Sequence, residues 1–211
     1  MIRIVIIDDH PIVRHGLQDL LREAGDFEVV AALGTGHEGL AKVRSHPVDV
    51  VALDIGLPDQ NGFEVLRQIH AERPEVKVLM VSVHPEERFA LRALQAGAAG
   101  YLAKTSVAEE LVIALRRIAG GGRYITSEVA ARLAEDLSQG KPARLPHERL
   151  SPREFEVFLA IAGGLTVGEI AARMHLSVKT VSTHRAHIIE KMALRTNADL
   201  MRYAMENQLV A

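Results

Sequence analysis

The stretch MIRIVIIDD, residues 1–9, passes directly from a short apolar run into two adjacent aspartates. The same pattern recurs three times, each time with a polar residue after the run: Val48–Leu53 then Asp54, Val76–Val81 then Ser82, and Gly100–Leu102 leading into Lys104. Such runs are typical of strands that are covered on both faces of a parallel sheet. Because open parallel sheets place ligand sites at the carboxyl ends of their strands, we expect these polar residues to meet at one edge.

The polar groups that follow these runs have complementary chemistry. The carboxylates of Asp8, Asp9 and Asp54 can together hold a divalent cation, and two adjacent carboxylates after a buried strand repel unless a cation lies between them. Lys104 and Ser82 can hold an anion beside that cation. Each residue alone has an ordinary interpretation, such as a solvated acidic turn, a helix cap or a surface ammonium. In combination they indicate a site at which an aspartate is phosphorylated.

The composition excludes several other classes of protein. The 211 residues contain no cysteine, which rules out disulfides, thiolate catalysis and cysteine-based zinc sites. No apolar run approaches the roughly 18 residues of a membrane helix, and the first residues lack the cationic start of a signal peptide, so we expect a cytoplasmic protein. Lys and Arg number 14 against 17 acids in residues 1–125, and 8 against 7 in residues 147–211. This asymmetry is too weak to indicate nucleic-acid binding by itself.

The first half of the chain alternates strands with helices. The first helix, Pro11–Ala24, has four apolar residues at helical spacing that we expect to face inwards: Ile12, Leu17, Leu20 and Leu21. A second strand is expected at Phe27–Ala32. Similar spacing indicates four further helices: His37–Ser45, Asn61–Ala71, Glu86–Ala96 and Val107–Ala119. Five such units predict a doubly wound α/β domain, with a five-stranded parallel sheet and helices on both faces.

A connector separates this first domain, residues 1–122, from the rest of the chain. Within residues 123–146, Thr126–Leu137 has the spacing of a helix. Residues 138–146 are polar and include a glycine and two prolines, which is typical of a flexible linker. Residues 147–211 carry helix signals only, and we expect them to form a small all-α domain.

The second domain has the pattern of a helix-turn-helix. Ser151-Pro-Arg-Glu154 is a strong helix start, with a capping hydroxyl, a proline at the first position and a glutamate three residues after the cap. Thr166–Met174 predicts a short second helix, and Ser177 caps a long third helix that reaches about Met192. A fourth helix is expected at Thr196–Gln208. Short helix, tight turn and long helix form the arrangement in which the long helix enters the major groove of DNA.

The long helix can be divided by face. Four residues recur at core spacing: Val181, His184, Ile188 and Met192. Five lie on the opposite side, available to base edges: Lys179, Ser182, Thr183, Ala186 and His187. Four suit phosphates: Thr166, Thr180, Arg185 and Lys191. Because short side chains predominate towards the groove, we expect few direct base contacts and a dependence on dimerisation. Exposed apolar residues of the fourth helix are expected to join the two protomers: Leu200, Met201 and Tyr203.

Both sets of residues resemble a known family. The first resembles the receiver domain of bacterial two-component response regulators: Asp8-Asp9, Asp54 with Pro58 and Gly62, Ser82, and Gly100–Lys104. The second resembles the terminal helix-turn-helix of the LuxR/NarL class: Ser151–Glu154, Ile170-Ala171, Val178–Val181, His184 and Lys191-Met192. The resemblance covers nearly the whole chain and identifies a response regulator of the NarL/FixJ type. It implies the strand order 2-1-3-4-5.

The resemblance also implies a role for each receiver residue. Asp54 would accept a phosphoryl group from a phosphohistidine of a sensor histidine kinase. The ligands of Mg²⁺ would be Asp8, Asp9, Asp54 and the carbonyl of Gly56. Gly56 would have the backbone freedom to turn that carbonyl towards the metal. Lys104 would pair with phosphate oxygens, Ser82 would donate a hydrogen bond to the phosphoryl group, and Tyr101 would rotate inwards as a switch.

On this interpretation the protein is a phosphorylation-dependent, DNA-binding transcription regulator and not an enzyme. Its partners would be a sensor kinase, promoter DNA and a second copy of the chain, joined through either the fourth and fifth receiver helices or the first. Two alternatives belong to other classes. An aspartyl phosphohydrolase would need a second acid two residues after Asp54, where this chain has Gly56. A phosphorylation-independent adaptor with a degenerate receiver would lack part of the acid, hydroxyl and lysine set, which is complete here.

Overall fold

The computed structural model describes residues 1–83, 86–127, 129–131 and 145–210, and the chain divides into two compact units, residues 1–134 and 135–211. The first unit contains β1 Ile2–Ile7, α1 Pro11–Ala24, β2 Phe27–Leu33, α2 Gly36–Ser45, β3 Val50–Leu53, α3 Gly62–Glu72, β4 Lys77–Ser82, α4 Glu86–Gln95, β5 Gly100–Ala103 and α5 Val107–Ala119. The second contains α6 Pro152–Ala162, α7 Val167–Arg173, α8 Val178–Met192 and α9 Asn197–Glu206. None of the described helices is long and apolar enough to cross a membrane.

The first unit is built on one parallel sheet in the order β2-β1-β3-β4-β5, which confirms the predicted fold class and strand order. The register pairs Ile7, the last residue of β1, with Leu33 on one side and Leu53 on the other. All four residues of β3 are buried, because helices cover both faces of the sheet. Asp8 and Asp54, which follow β1 and β3, therefore lie side by side at the carboxyl edge.

The start of α3 packs closely against the segment that carries Asp54. Asn61 caps the helix by accepting a hydrogen bond from the Phe63 amide at 2.9 Å, and the Gly62 amide donates to the carbonyl of Ile55 at 2.9 Å. A Cβ atom on Gly62 would collide with the carbonyl oxygen of Asp54 and would lie 2.8 Å from the Cα of Ile55. Glycine is therefore required here, and this approach holds the backbone of Asp54 in place.

Helix α1 has the predicted bounds, but one of its expected core residues lies outside. Leu17 and Leu21 are buried, with 2% and 1% of their surface exposed. Ile12 is 87% exposed, so the prediction that it faces inwards was wrong. The five-residue separation from Leu17 turns Ile12 by about 140° around the helix, away from the buried stripe.

In the described part of the second unit, four helices form a bundle in which α6 packs against both α8 and α9. Capping boxes start α6, α7 and α9, as Ser151 and Thr166 predicted for the first two. Leu200 was expected to be exposed for a partner, and that prediction was wrong because the side chain is fully buried. The exposed apolar residue of α9 is Met205, at 62%.

The predicted connector, residues 123–146, is described only in part. The amide of Ala130 donates to the carbonyl of Thr126 at 3.0 Å, which is the first turn of the helix predicted for Thr126–Leu137. The rest of that helix and residues 138–144 of the predicted linker lie outside the described residues. A short 3₁₀ segment at Pro146–Arg149 precedes α6.

Candidate functional site

Three acids meet at the carboxyl edge of the sheet, as the sequence predicted. Asp8 and Asp54 are almost fully buried, and 19% of the Asp9 side chain is exposed. Candidate ligand atoms of these acids and of His10 all lie within 4.8 Å of one another. The sequence interpretation missed His10, whose only signal is that it directly follows the aspartate pair. Its Nδ1 atom lies 2.5 Å from Oδ1 of Asp9, at the exposed rim of the cluster.

Backbone amides orient the two buried carboxylates. Oδ1 of Asp8 accepts a hydrogen bond from the His10 amide at 2.8 Å, and Oδ1 of Asp54 accepts one from the Ile55 amide at 2.7 Å. The Asp54 amide donates to the Ile7 carbonyl at 2.8 Å, so that the end of β3 is tied to the end of β1. The second oxygens of both carboxylates are left to face each other across the site.

Lys104 lies between these second oxygens. Its Nζ atom is 2.7 Å from Oδ2 of Asp54 and 2.6 Å from Oδ2 of Asp8. Burial lowers the pKa of Lys104, but the two carboxylates outweigh it, and the net result is a raised pKa. Burial raises the pKa of Asp54, with Lys104 acting against it and Asp8 adding to it. The lysine thus remains charged and compensates only part of the negative charge around it.

The remaining negative charge suits a hard divalent cation. Within the described residues, Oδ2 of Asp8 and Oδ1 of Asp9 are buried oxygens that receive no backbone hydrogen bond and lie against Lys104 and His10. Carboxylate oxygens grouped in this way are the ligands that Mg²⁺ prefers. The donor set therefore fits a cation of this kind between Asp8, Asp9 and Asp54.

Gly56 does not use the conformational freedom that the sequence suggested. It is exposed and is absent from the described residues with positive φ, and an added Cβ atom would meet nothing within 4 Å. An added side chain therefore has space here, and the structure gives no steric reason for a glycine at this position. Its carbonyl as a metal ligand stays a prediction.

Farther along the loop, Asp59 accepts hydrogen bonds from the amides of Gly36 and His37 at 2.9 and 2.8 Å, which caps α2.

Ser82 and Tyr101 lie on neighbouring strands behind this edge. Only 1% of either residue is exposed, and the register pairs Met80 with Tyr101 and Ser82 with Ala103. Tyr101 is therefore already inside the domain while Lys104 holds Asp54. The inward rotation expected of Tyr101 does not start from this structure, because the side chain occupies the inner position.

In the second unit, α8 presents the predicted groove face to solvent. The five residues expected there are all exposed: Lys179, Ser182, Thr183, Ala186 and His187. On the other side, Val181, Ile188 and Met192 are buried as expected. His184 is only half-buried, so it lies at the border of the core and not in it.

The residues expected to meet phosphates have partners within their own domain. Lys191 is the clearest case: its Nζ atom lies 2.6 and 2.8 Å from the two carboxylate oxygens of the buried Glu154. Arg185 donates to the side-chain oxygen of Asn197 at 2.7 Å. The hydroxyls of Thr166 and Thr180 lie in the caps of α7 and α8, bonded to Glu169 and Ser177. Lys191 is thus also a structural counter-ion, which the sequence alone did not reveal, and its contact with phosphate stays a prediction.

Comparisons with known proteins agree with this architecture. Residues 4–116 match the family described as response regulator receiver domain, and residues 148–204 match bacterial regulatory proteins of the luxR family. The response regulator GacA of Pseudomonas viridiflava is 37% identical over 210 residues, which is 100% of this chain and 98% of that protein. The response regulator UvrY of Escherichia coli K12 is 35% identical over 211 residues, covering 99% of this chain and 96% of that one.

Solved structures share the fold. RcsB of Salmonella enterica serovar Typhimurium, bound to promoter rprA with the phosphomimetic BeF₃⁻, superposes with a TM-score of 0.62 at 24% identity, over 96% of this chain and 98% of that one. A LuxR-family response regulator from Aurantimonas sp. SI85-9A1 gives 0.59 at 35% identity, covering 64% of this chain and 97% of that one.

The fold, the acidic site and the helix-turn-helix define a DNA-binding response regulator, a class of phosphorylation-dependent transcription regulators and not enzymes. The chain belongs to the NarL/FixJ family of response regulators, with a receiver domain followed by a luxR-type domain.

Proposed function

We propose that Asp54 accepts a phosphoryl group from a sensor histidine kinase in the cytoplasm, and that the phosphorylated chain dimerises and binds promoter DNA. The observation that carries this proposal is the setting of Asp54. Its carboxylate is 4% exposed and belongs to the cluster of acids, its backbone is tied to β1, and Lys104 pairs with one of its oxygens. A nucleophile placed in this way is oriented before the phosphodonor arrives.

The residues of the site divide the work of phosphoryl transfer. An oxygen of Asp54 forms a bond to phosphorus while the bond from phosphorus to the donor's histidine nitrogen breaks. Asp8, Asp9, Asp54 and the carbonyl of Gly56 would hold Mg²⁺, which would supply positive charge against the phosphoryl oxygens. Lys104 exchanges its contact with the Asp54 carboxylate for a contact with a phosphoryl oxygen. The charge of Lys104 therefore compensates the carboxylates before phosphorylation and the phosphoryl group after it.

Ser82 and Tyr101 couple phosphorylation of Asp54 to a conformational change elsewhere in the receiver. The Ser82 hydroxyl donates a hydrogen bond to a phosphoryl oxygen, and its movement towards the edge of the sheet releases space beside β5. Tyr101 takes up that space from its buried position and thereby changes the packing of the surface that a second protomer contacts. Support comes from the burial of both residues on adjacent strands.

The second unit binds the promoter DNA. Helix α8 enters the major groove with Lys179, Ser182, Thr183, Ala186 and His187 towards the bases. Thr166, Thr180 and Arg185 flank this face and contact phosphates, since hydroxyls and guanidinium groups are common donors to them. A dimer presents two copies of α8 and therefore requires two half-sites about one helical turn apart.

The test is acceptance of a phosphoryl group from a small acyl-phosphate donor with Mg²⁺. Intact-mass spectrometry should show one added phosphoryl group on the wild type and none on Asp54→Asn. Asp59→Asn is the matched control, because this acid in the same loop caps α2 and has no role in transfer. Undiminished labelling of Asp54→Asn would place the nucleophile elsewhere and overturn the proposal. Sedimentation and duplex-DNA binding with and without donor then test the output.

A further inference from the structure

The hydroxyl groups on the groove face of α8 are turned back onto the helix. The Ser182 hydroxyl donates to the carbonyl of Val178 at 2.9 Å, and the Thr183 hydroxyl donates to the carbonyl of Lys179 at 3.0 Å. Side chains of this type commonly bond the carbonyl four residues earlier when they lie within a helix. Their hydrogen atoms are thereby used inside the helix, and neither residue offers a donor to a base edge in this arrangement.

Two of the five residues on this face, Thr183 and Ala186, then present methyl groups. With its oxygen facing the helix backbone, Thr183 is left with its Cγ2 methyl as the part of the side chain that can contact another surface. Ala186, one turn later and also exposed, presents only its Cβ methyl. Val178, at the first position of α8, adds a side chain that is 57% exposed. Lys179 is the single long cationic side chain among the residues of α8 assigned to base edges.

We propose that Thr183 and Ala186 select operator sequence through the 5-methyl group of thymine. The inference rests on the proposed function and specifies the DNA that α8 reads. The thymine methyl is the one apolar group that base pairs present in the major groove, and alanine and the methyl of threonine are apolar groups that contact it. Thr183 and Ala186 lie about one turn apart on the exposed face of α8 that is assigned to base edges. Beside the polar groups of Lys179 and His187, these two methyls let the face discriminate between bases by apolar contact.

The experiment replaces thymine by uracil, which removes the methyl group and leaves the pairing edge intact. An operator is first selected from random duplexes with the full chain and an acyl-phosphate donor. Each thymine is then replaced singly, and affinity is measured at one salt concentration. We expect one or two positions in each half-site to lose about threefold to fivefold, the effect of removing one buried methyl, while the others stay unchanged.

Two variants at one position identify the reader. Thr183→Ser removes the methyl and retains the hydroxyl, so the preference for thymine over uracil should disappear at one position. Thr183→Val retains a methyl and removes the hydroxyl, so the preference should persist. Equal affinity for thymine and uracil at every position of a selected operator would overturn the inference and leave the proposed function standing. A selection that enriches no sequence would overturn DNA recognition itself.

Discussion

Lys104 and Asp54 form an ion pair of 2.7 Å in which the ammonium is bound to one oxygen of the carboxylate proposed to be phosphorylated. Residues fifty positions apart in the chain meet here because β3 and β5 end at the same edge of the sheet. The lysine side chain is only 9% exposed, so its charge and that of Asp54 are both largely removed from water. The ion pair therefore matters for stability as well as for phosphoryl transfer.

Replacing Lys104 by methionine should destabilise the protein without Mg²⁺. Asp8 and Asp54 would remain buried without their shared counter-ion, and breaking a buried pair in this way costs about 3 kcal/mol. Saturating Mg²⁺ should restore part of the loss, because a cation bound to the same carboxylates replaces the missing charge. Thermal melts with and without Mg²⁺ measure both effects, with Lys42→Met, on α2, as the control. A melting temperature equal to that of the wild type would contradict the role given to the pair.

Two glycines of the Asp54 segment should respond in opposite ways to alanine. Gly62→Ala drives a methyl group into the Asp54 carbonyl, so we expect a marked loss of both stability and phosphorylation. Gly56→Ala places its methyl in open space on an ordinary backbone and should keep both. Melting temperatures and intact-mass labelling provide the comparison. Loss of labelling in a stable Gly56→Ala would show that this position needs glycine for a reason other than conformation.

Glu154 should make stability depend on pH in the acid range. Burial raises its pKa, but the hydrogen bonds from Lys191 and from Ser151 outweigh burial and hold the pKa below its ordinary value. A lowered pKa stabilises the fold above the unfolded pKa of about 4.3, and that stabilisation is lost as pH falls through the folded pKa.

Glu154→Gln should therefore lower the free energy of unfolding at pH 7 by about 1.5–3 kcal/mol, the value of hydrogen bonds to a charged group. The difference from the wild type should shrink as pH falls below about 4.3 and through the lowered folded pKa, where the wild-type side chain also becomes neutral. Urea unfolding of both proteins between pH 3 and pH 7 measures it. A difference that is constant across this range would mean that the ion pair with Lys191 contributes nothing.

Lys179 and Lys191 should behave differently in DNA binding, although both are lysines of α8. Lys179→Ala removes an exposed charge from the groove face and should reduce the slope of affinity against salt by about one unit. Lys191→Met should leave the slope unchanged and lower stability, because its charge already pairs with Glu154. Salt titrations on one operator decide between them. An equal fall in slope for Lys191→Met would show that the ion pair opens on DNA.

Local sequence was sufficient for most of the secondary structure and for the members of the acidic site. Pro11–Ala24 and Val107–Ala119 are helices with the predicted bounds, because proline and glycine signals and apolar spacing act over a few residues. Asp8, Asp9, Asp54 and Lys104 could be assigned to one edge since parallel strands all end on the same side. The helix bounds and the members of the acidic site depend on the order of residue types along the chain, and that order is known from the sequence.

The tertiary structure decided where individual side chains are used. Ile12 was expected to face inwards and is exposed, whereas Leu200 was expected to be exposed and is buried. The spacing groups apolar residues on the faces of a helix, but which face is covered depends on the neighbouring elements. From the sequence, Lys191 is predicted to contact phosphate. In the structure, α6 places the buried Glu154 2.6 Å from its Nζ atom. Gly62 needs to be glycine only because α3 begins against the backbone of Asp54. Such outcomes depend on distances between segments far apart in the chain, and those distances exist only once the elements have packed.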